Sequence, residues 1–282
     1  MNNQYFIFTD IDGTLYDHGN NRIPVSSKEA LIKAKANGHK IFICSGRCYS
    51  DIDPFYFELP IDGFVVGGGA HVILNDHQEY FTPMPLQELD YLKDYLMKHD
   101  IGFALEGVHK IFLYGEAHEI YRYFLSATGL YPNLDDTTFN KILTNRNTYP
   151  VHEMSKTDYQ ETLKFSFYSK KKKELEELLS RLPDTVVGYF DNMSDMMTTG
   201  EFYMKNTSKA TGMDIVLKAY DHPLERTIAL GDNMNDLEMI MHAGIGIAMG
   251  NACDELKRKA DFVTKHISDD GFAYALEKFK LI

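Results

Sequence analysis

The chain opens with a nearly unbroken apolar run over residues 5–9 that stops at Asp10, Asp12 and Gly13. Such a run fits a parallel strand buried on both faces, with polar chemistry beginning where the strand ends. Ser26 followed by Glu29 has the spacing of a helix-capping box, and Ala30, Leu31 and Ala34 then mark a helical face that closes at Gly38. Residues 40–44 read as the next strand. Strand, helix and strand in this order form a crossover unit, and in such sheets ligands sit at the carboxyl ends of the strands, where Asp10 and Ser45 both fall. Residues 64–66 read as a third strand running into Gly67, Gly68 and Gly69, after which residues 72–74 continue as a short extended segment.

The texture changes from Pro83 onward. A helix over 86–99 leads into short extended runs at 103–106 and 111–114, and a second helix follows at 118–126. Residues 131–159 are polar and without a readable period, whereas 163–168 alternate as a strand. A helix at 172–181 and strands at 185–190 and 196–202 complete a separate α+β unit. The core pattern then returns with helix 208–219, strand 227–230, helix 236–242, strand 245–248 and helix 252–260. The expected fold class is therefore α/β, a doubly wound parallel-sheet core built from residues 1–82 and 202–282. Residues 83–201 form an inserted α+β cap, placed as a lid over the carboxyl edge of the sheet.

Charge narrows the partners. Lys plus Arg total 29 against 41 for Asp plus Glu, a net charge of −12, which argues against nucleic acid and against an anionic membrane surface. The N-terminal apolar run has no basic region before it and is too short for a signal peptide or a membrane span, so a cytoplasmic location is expected. Cys44, Cys48 and Cys253 have no paired spacing, as expected of packing residues in a reducing compartment. None of the eleven histidines pairs with another His or Cys at ligand spacing.

The segment DIDGT places two acids just beyond the first strand. A carboxylate can attack phosphorus directly, and a second one can give a proton to the leaving oxygen and later take one from water. Asp10 suits the first role and Asp12 the second, although alone the segment would read as a turn ending a strand. Gly13 lets the backbone turn away, and Thr14 offers a hydroxyl and an N–H to phosphate oxygens. Asp232 ends another apolar strand, with Asn235 and Asp236 opening the helix that follows in GDNMND. Magnesium wants a compact set of hard oxygens with few protein ligands, which acids from two strand ends can supply, so Asp10 and Asp232 are the expected direct ligands. Asn235 and Asp236 would orient waters or Asp232 from behind, or Asp236 would simply cap its helix. For the phosphate, Ser45 and Gly46 offer a hydroxyl and nearby N–H groups, and Lys209 adds its ammonium to the positive end of a helix. Their bland alternatives are a turn residue for Ser45 and an exposed helix-start cation for Lys209.

Together DIDGT, the SGR at Ser45–Arg47, SKATG around Lys209 and GDNMND resemble, in order, the four motifs of the haloacid dehalogenase-like phosphatases, specifically the Cof-type subfamily. AMGNA at 248–252 and SDDGF at 268–272 resemble two further segments of that subfamily. The resemblance covers both core halves. It implies a Rossmann-like core, a required Mg2+ ion, a phosphorylated Asp10, and the backbone carbonyl of Asp12 as a further metal ligand. It also implies a small phosphorylated metabolite as substrate, a sugar phosphate foremost, and a monomer or weak homo-oligomer. A phosphomutase of the same fold or a catalytically silent phospho-ligand-binding protein are the alternatives. Three positions depart from the family pattern: Ser45 where threonine is commoner, Ala210 where glycine is usual, and Gly68 in the place of an asparagine.

Overall fold

The computed structural model describes residues 4–75, 78–127, 134–194 and 197–282. Strand β1 (Phe6–Thr9) is buried throughout, and it is followed by helix α1 (Val25–Ala36) and strand β2 (Lys40–Cys44). The capping box expected at Ser26 does not form. Pro24, with φ −52°, is the cap residue and no side chain caps the helix, so Ser26 already lies inside it and donates instead to Asp270 Oδ1 at 2.6 Å. Strand β3 (Gly63–Val66) is followed by β4 (His71–Leu74) and β5 (Glu79–Phe81). The segment at 72–74 is extended, as the sequence implies, and lies within β4. Gly67, Gly68 and Gly69 take φ of 58°, 65° and 100°, which turns the chain back so that β4 pairs antiparallel with β3.

The chain then builds α2 (Leu86–Lys98), β6 (Gly102–Gly107), β7 (Ile111–Tyr114), α3 (Ala117–Ala127), α4 (Asp136–Asn145) and β8 (Thr148–Pro150). After these come α5 (Lys156–Gln160), β9 (Thr162–Ser169), α6 (Lys172–Leu179), β10 (Val186–Ser194) and β11 (Met197–Met204). Six strands form one sheet in the order β10-β11-β9-β6-β7-β8, antiparallel except for the β7–β8 pair. Period-two alternation puts Phe103, Leu105, Phe165, Phe167 and Phe202 on one face, buried with Leu89, Leu92 and Leu96 of α2 and Leu175 and Leu178 of α6. The opposite face carries charge: Lys164 Nζ lies 2.5 Å from Glu201 and 3.3 Å from Glu106, and its side chain is nearly fully buried. The polar stretch without a readable period contains α4, β8 and α5; its residues 131–133 lie outside the described residues, as do 195–196 of the hairpin. Helix α4 buries only Phe139 and Ile142, too few for a periodic signal, and is started by Asp135, which accepts from Thr138 N at 2.7 Å.

The last stretch supplies α7 (Lys209–Tyr220), β12 (Thr227–Gly231), α8 (Leu237–His242), β13 (Ile245–Ala248), α9 (Asp254–Lys259), β14 (Phe262–Val263) and α10 (Gly271–Lys278). The second sheet runs β14-β13-β12-β1-β2-β3-β4-β5. Strand β1 sits between β2 and β12, parallel to both, with Phe6 opposite Lys40 on one side and Thr227 on the other. Strand order reverses at β1, and such a reversal opens a crevice beyond the carboxyl ends of the strands. Helix α1 packs against α10, and α7 against α8. Two compact units result, one of Met1–Arg47, Ile52–Tyr80 and Ser208–Ile282, the other of Cys48–Asp51 and Phe81–Thr207. Among the described residues no helix is long and apolar enough to cross a membrane.

The glycine turn gives a direct test of this packing. A Cβ on Gly69 would lie 1.8 Å from the carbonyl oxygen of Ser208, the residue that starts α7, whereas one on Gly68 would meet nothing within 4 Å. Gly69→Ala should therefore destabilise the protein by about 2–4 kcal/mol in urea unfolding, and Gly68→Asn by less than about 1 kcal/mol, because asparagine tolerates positive φ. Equal losses in the two variants would contradict the close approach.

Candidate active site

The carboxyl ends of β1, β2 and β12 and the start of α7 converge on one cluster. Asp10 leaves β1 with its N–H on Leu230 O at 3.0 Å, so the strand pairing itself fixes where this carboxylate stands. Lys209 is buried, its Nζ donating to Asp10 Oδ1 at 2.6 Å and to Asp236 Oδ1 at 2.5 Å. It is thus not an exposed helix-start cation. Its hydrocarbon stem and ammonium are both out of solvent, an arrangement that is tolerable only because the charge is paired twice.

Asp236 is fully buried and spends both oxygens. While Oδ1 takes Lys209, Oδ2 accepts from the N–H groups of Asp232 at 3.0 Å and Asn233 at 3.1 Å. Asp236 does not cap α8 with its side chain; it sits at the end of the turn Met234–Asp236, whose cap residue is Asn233, and its Oδ2 ties down the backbone of Asp232 and Asn233. Asn235 is exposed, with its side-chain nitrogen 3.7 Å from the position a Cβ on Gly46 would take.

One oxygen each of Asp10, Asp232 and Asp236 lie within 4.8 Å of one another. Burial, then the neighbouring Asp236, raise the Asp10 carboxyl well above its ordinary range, with Lys209 opposing the shift. Burial and Asp236 push Asp232 up to about 7. Asp232 Oδ1 is buried with no close hydrogen-bond donor, and the Thr14 hydroxyl beside Asp232 only partly offsets the rise of its carboxyl. These features fit a hard divalent cation: crowded carboxylates short of positive charge, and an oxygen left without a donor. With both Asp236 oxygens engaged, Asp10 and Asp232 are the side chains free to hold it. Gly13 has φ +81°, and a Cβ there would lie 2.2 Å from Asp232 Oδ2, so only glycine lets the two loops come this close.

Asp12 turns to a different set of partners. Arg47 donates to it twice, Nε to Oδ2 at 3.0 Å and Nη2 to Oδ1 at 2.7 Å, and His18 Nε2 lies 2.7 Å from Oδ1. Burial works against the charge, yet the His18 and Arg47 contacts hold this carboxyl well below the usual carboxylate range. Ser45 is buried; its N–H is on Val65 O at 2.8 Å and its Oγ accepts from Arg47 N at 3.2 Å. Cys44, beside the cluster, has its thiol pushed far up by burial, which suits a packing role.

Sequence reasoning gave no role to Arg47, His18 or Asn251. Arg47 stood in the SGR segment, and Asn251 in AMGNA. Asn251 Nδ2 donates to Gly13 O at 2.7 Å while its Oδ1 accepts from Ile267 N at 3.0 Å, and Cys253 N donates to Asp232 O at 3.0 Å. The AMGNA segment therefore braces both the Gly13 turn and the Asp232 loop. His18 gave no signal, because no spacing rule places it on Asp12.

Lys209→Met would leave Asp10 and Asp236 buried without their cation. Breaking a buried pair of this kind typically costs about 3–5 kcal/mol, so the urea midpoint in EDTA should fall by the corresponding amount. An unchanged midpoint would contradict the pairing.

The family model for haloacid dehalogenase-like hydrolases matches residues 7–276. The putative phosphatase YkrA of Bacillus subtilis is 31% identical over 98% of both chains. The 5-amino-6-(5-phospho-D-ribitylamino)uracil phosphatase YitU of the same organism is 26% identical over 98% of this chain and 97% of its own. Among solved structures, the subclass IIB sugar phosphatase BT4131 superimposes with a TM-score of 0.75 at 26% identity, covering 99% of this chain and 100% of its own.

Proposed function

The chain belongs to the haloacid dehalogenase-like hydrolases and is a phosphatase of that family; from that premise we propose that it is a magnesium-dependent phosphomonoester hydrolase working through a phosphorylated Asp10. The main support is the buried Lys209 held between Asp10 and Asp236, next to an Asp232 oxygen without a donor. No simple structural role calls for that much paired and unpaired charge at the end of a sheet.

In the proposed reaction the Asp10 carboxylate attacks phosphorus and the bond to the leaving oxygen breaks, with Asp12 giving that oxygen a proton. Water then attacks the phosphorus, Asp12 takes its proton, and the bond between phosphorus and Asp10 breaks to release inorganic phosphate. Thr14, Ser45, the N–H groups around Gly46 and the Lys209 ammonium hold the phosphoryl oxygens. Asp10, Asp232 and the backbone carbonyl of Asp12 would hold the Mg2+, which when bound would supply the positive charge that an anionic nucleophile needs to approach an anionic ester. Asp236 fixes the Asp232 loop and Asn235 flanks the phosphate loop. The contacts of Asp12 with Arg47 and His18 describe the ionised base of the second step, so the acid of the first step requires Asp12 to take up a proton and loosen those contacts.

A sugar phosphate, or another phosphate ester on a polyhydroxylated chain, is the proposed substrate class. BT4131 is named a sugar phosphatase, and the substrate in the name of YitU carries its phosphate on a ribityl chain. Selection of the leaving group is proposed to lie with the inserted residues 83–201.

Asp12→Asn separates the two chemical steps. With Mg2+ and p-nitrophenyl phosphate, whose leaving group needs no acid, the variant should accumulate a phosphate-sized mass increase on the peptide carrying Asp10, because the second step lacks its base. An alkyl phosphate should hardly react, Asp10→Asn should trap nothing, and EDTA should abolish the adduct. If Asp12→Asn traps nothing and loses both substrates equally, the division of roles between Asp10 and Asp12 is wrong.

A further inference from the structure

The AMGNA segment begins where β13 ends, inside the core unit. Met249 N donates to Gly231 O at 2.9 Å and Gly250 N to Lys265 O at 2.9 Å, so main-chain bonds fix the backbone that carries Asn251 from two sides. The Asn251 amide then spans two further segments. Its Nδ2 donates to Gly13 O at 2.7 Å, and its Oδ1 accepts from Ile267 N at 3.0 Å, where the turn Ile267–Asp269 begins. A carbonyl can only accept and a backbone N–H can only donate, so both ends of the amide are specified. The ordinary role of a loop asparagine is to bond its own backbone two residues on. Here the partners lie 238 and 16 positions away.

What Asn251 holds at Gly13 bears on the carbonyl before it. Gly13 joins two planar peptide units. The first carries the Asp12 carbonyl and the Gly13 N–H, which donates to Tyr16 O at 3.0 Å. The second carries the Gly13 carbonyl, which takes Asn251, and the Thr14 N–H, which reaches Ile11 O at 3.3 Å. Glycine lets these two units rotate against each other with little steric resistance, so the direction of the Asp12 carbonyl is set only when both are tied. The facing loop is tied separately. Cys253 N donates to Asp232 O at 3.0 Å, and Asp236 Oδ2 accepts from the N–H groups of Asp232 and Asn233. Loss of the Asn251 amide would therefore release the Gly13 turn while Asp232 stays in place.

We propose that Asn251 is a positioning residue for the Mg2+ site, holding the Gly13 turn so that the Asp12 carbonyl faces the same point as the carboxylates of Asp10 and Asp232. This consequence for the metal rests on the ligand set given under Proposed function, whereas the mechanical part does not. Groups that orient metal ligands from behind change metal affinity by about 10–100-fold when removed. An asparagine that served only to join its own turn to residue 267 would change stability and leave both the Gly13 turn and the metal unaffected.

The test compares wild type, Asn251→Ala and Asn251→Asp as full chains. Alanine loses both hydrogen bonds, whereas aspartate keeps an acceptor for Ile267 N and loses the donor to Gly13 O. The first readout is amide hydrogen exchange in EDTA. Exchange at residues 13–16 should quicken by about 10-fold in both variants, and exchange at Ile267 in the alanine variant alone. The second is the rise of the melting temperature with Mg2+ concentration, which yields a dissociation constant by linkage. That constant should increase by about 10-fold in both variants. The added charge of aspartate would by itself tighten Mg2+ binding, so weakening in that variant reports the lost donor. Asn251→Asp carries the prediction alone if Asn251→Ala does not fold. The proposal is overturned if exchange at 13–16 is unchanged, or if it quickens while the Mg2+ constant stays at the wild-type value. A wild-type protein whose melting temperature ignores Mg2+ would overturn the metal assignment instead, and exchange at 13–16 would still decide whether Asn251 holds the turn.

Discussion

Lys209 Nζ lies within 2.6 Å of Asp10 and 2.5 Å of Asp236, with a side chain 1% exposed, and the geometry of the sheet edge follows from that contact. Moving one charged group out of water costs several kcal/mol, and an ammonium flanked by two carboxylates recovers this only when distances are short and remaining lone pairs are used. Asp236 meets the second condition by accepting two backbone N–H groups with its other oxygen. The pairing also joins chain segments separated by 199 and 27 residues, so the strand end of the first half and the loop of the second are fixed against the same nitrogen. The Gly13 turn can then approach Asp232 as closely as it does.

The same contact leaves the site short of positive charge. Asp10, Asp12, Asp53, Asp232 and Asp236 face Lys209 and Arg47, a formal balance of 2 − 5 = −3, with His18 uncounted. Arg47 is shared by Asp12 and Asp53, and Lys209 by Asp10 and Asp236; burial and the neighbouring Asp236 push the Asp232 carboxyl up to about 7. The arrangement divides two kinds of carboxylate chemistry between residues two positions apart. Asp10 is buried beside an ammonium, while Asp12 is turned to a guanidinium and an imidazole. Environment alone, not residue type, sets the difference.

Much of this was legible in the sequence wherever the pattern is local. Apolar runs ending in Asp10, Cys44 and Leu230 announced buried parallel strands, and the motif residues fall at their ends because a strand that is buried on both faces can expose polar chemistry only there. The Ser26 capping box was misread because Pro24 starts the helix earlier; the extended segment at 72–74 was legible, but its antiparallel sense was not, because three consecutive glycines with positive φ leave no side-chain pattern to read. Helix α4 buries too few apolar residues to show a period. At the site, Arg47 on Asp12 spans 35 positions and Asn251 on Gly13 spans 238. Contacts across such separations depend on how the sheet closes, and spacing rules do not reach them.

The central claim is that Asp10 itself carries the phosphoryl group between the two steps. Borohydride reduces an acyl phosphate to an alcohol and leaves an ordinary carboxylate untouched, so it marks that intermediate chemically. Wild-type protein turning over p-nitrophenyl phosphate with Mg2+ should be quenched in acid within the first turnovers, reduced, digested and analysed by mass spectrometry. The account predicts homoserine at position 10 and nowhere else, absent when substrate is omitted. Steady hydrolysis with an unmodified Asp10 at every quench time, or homoserine at another aspartate, would contradict it.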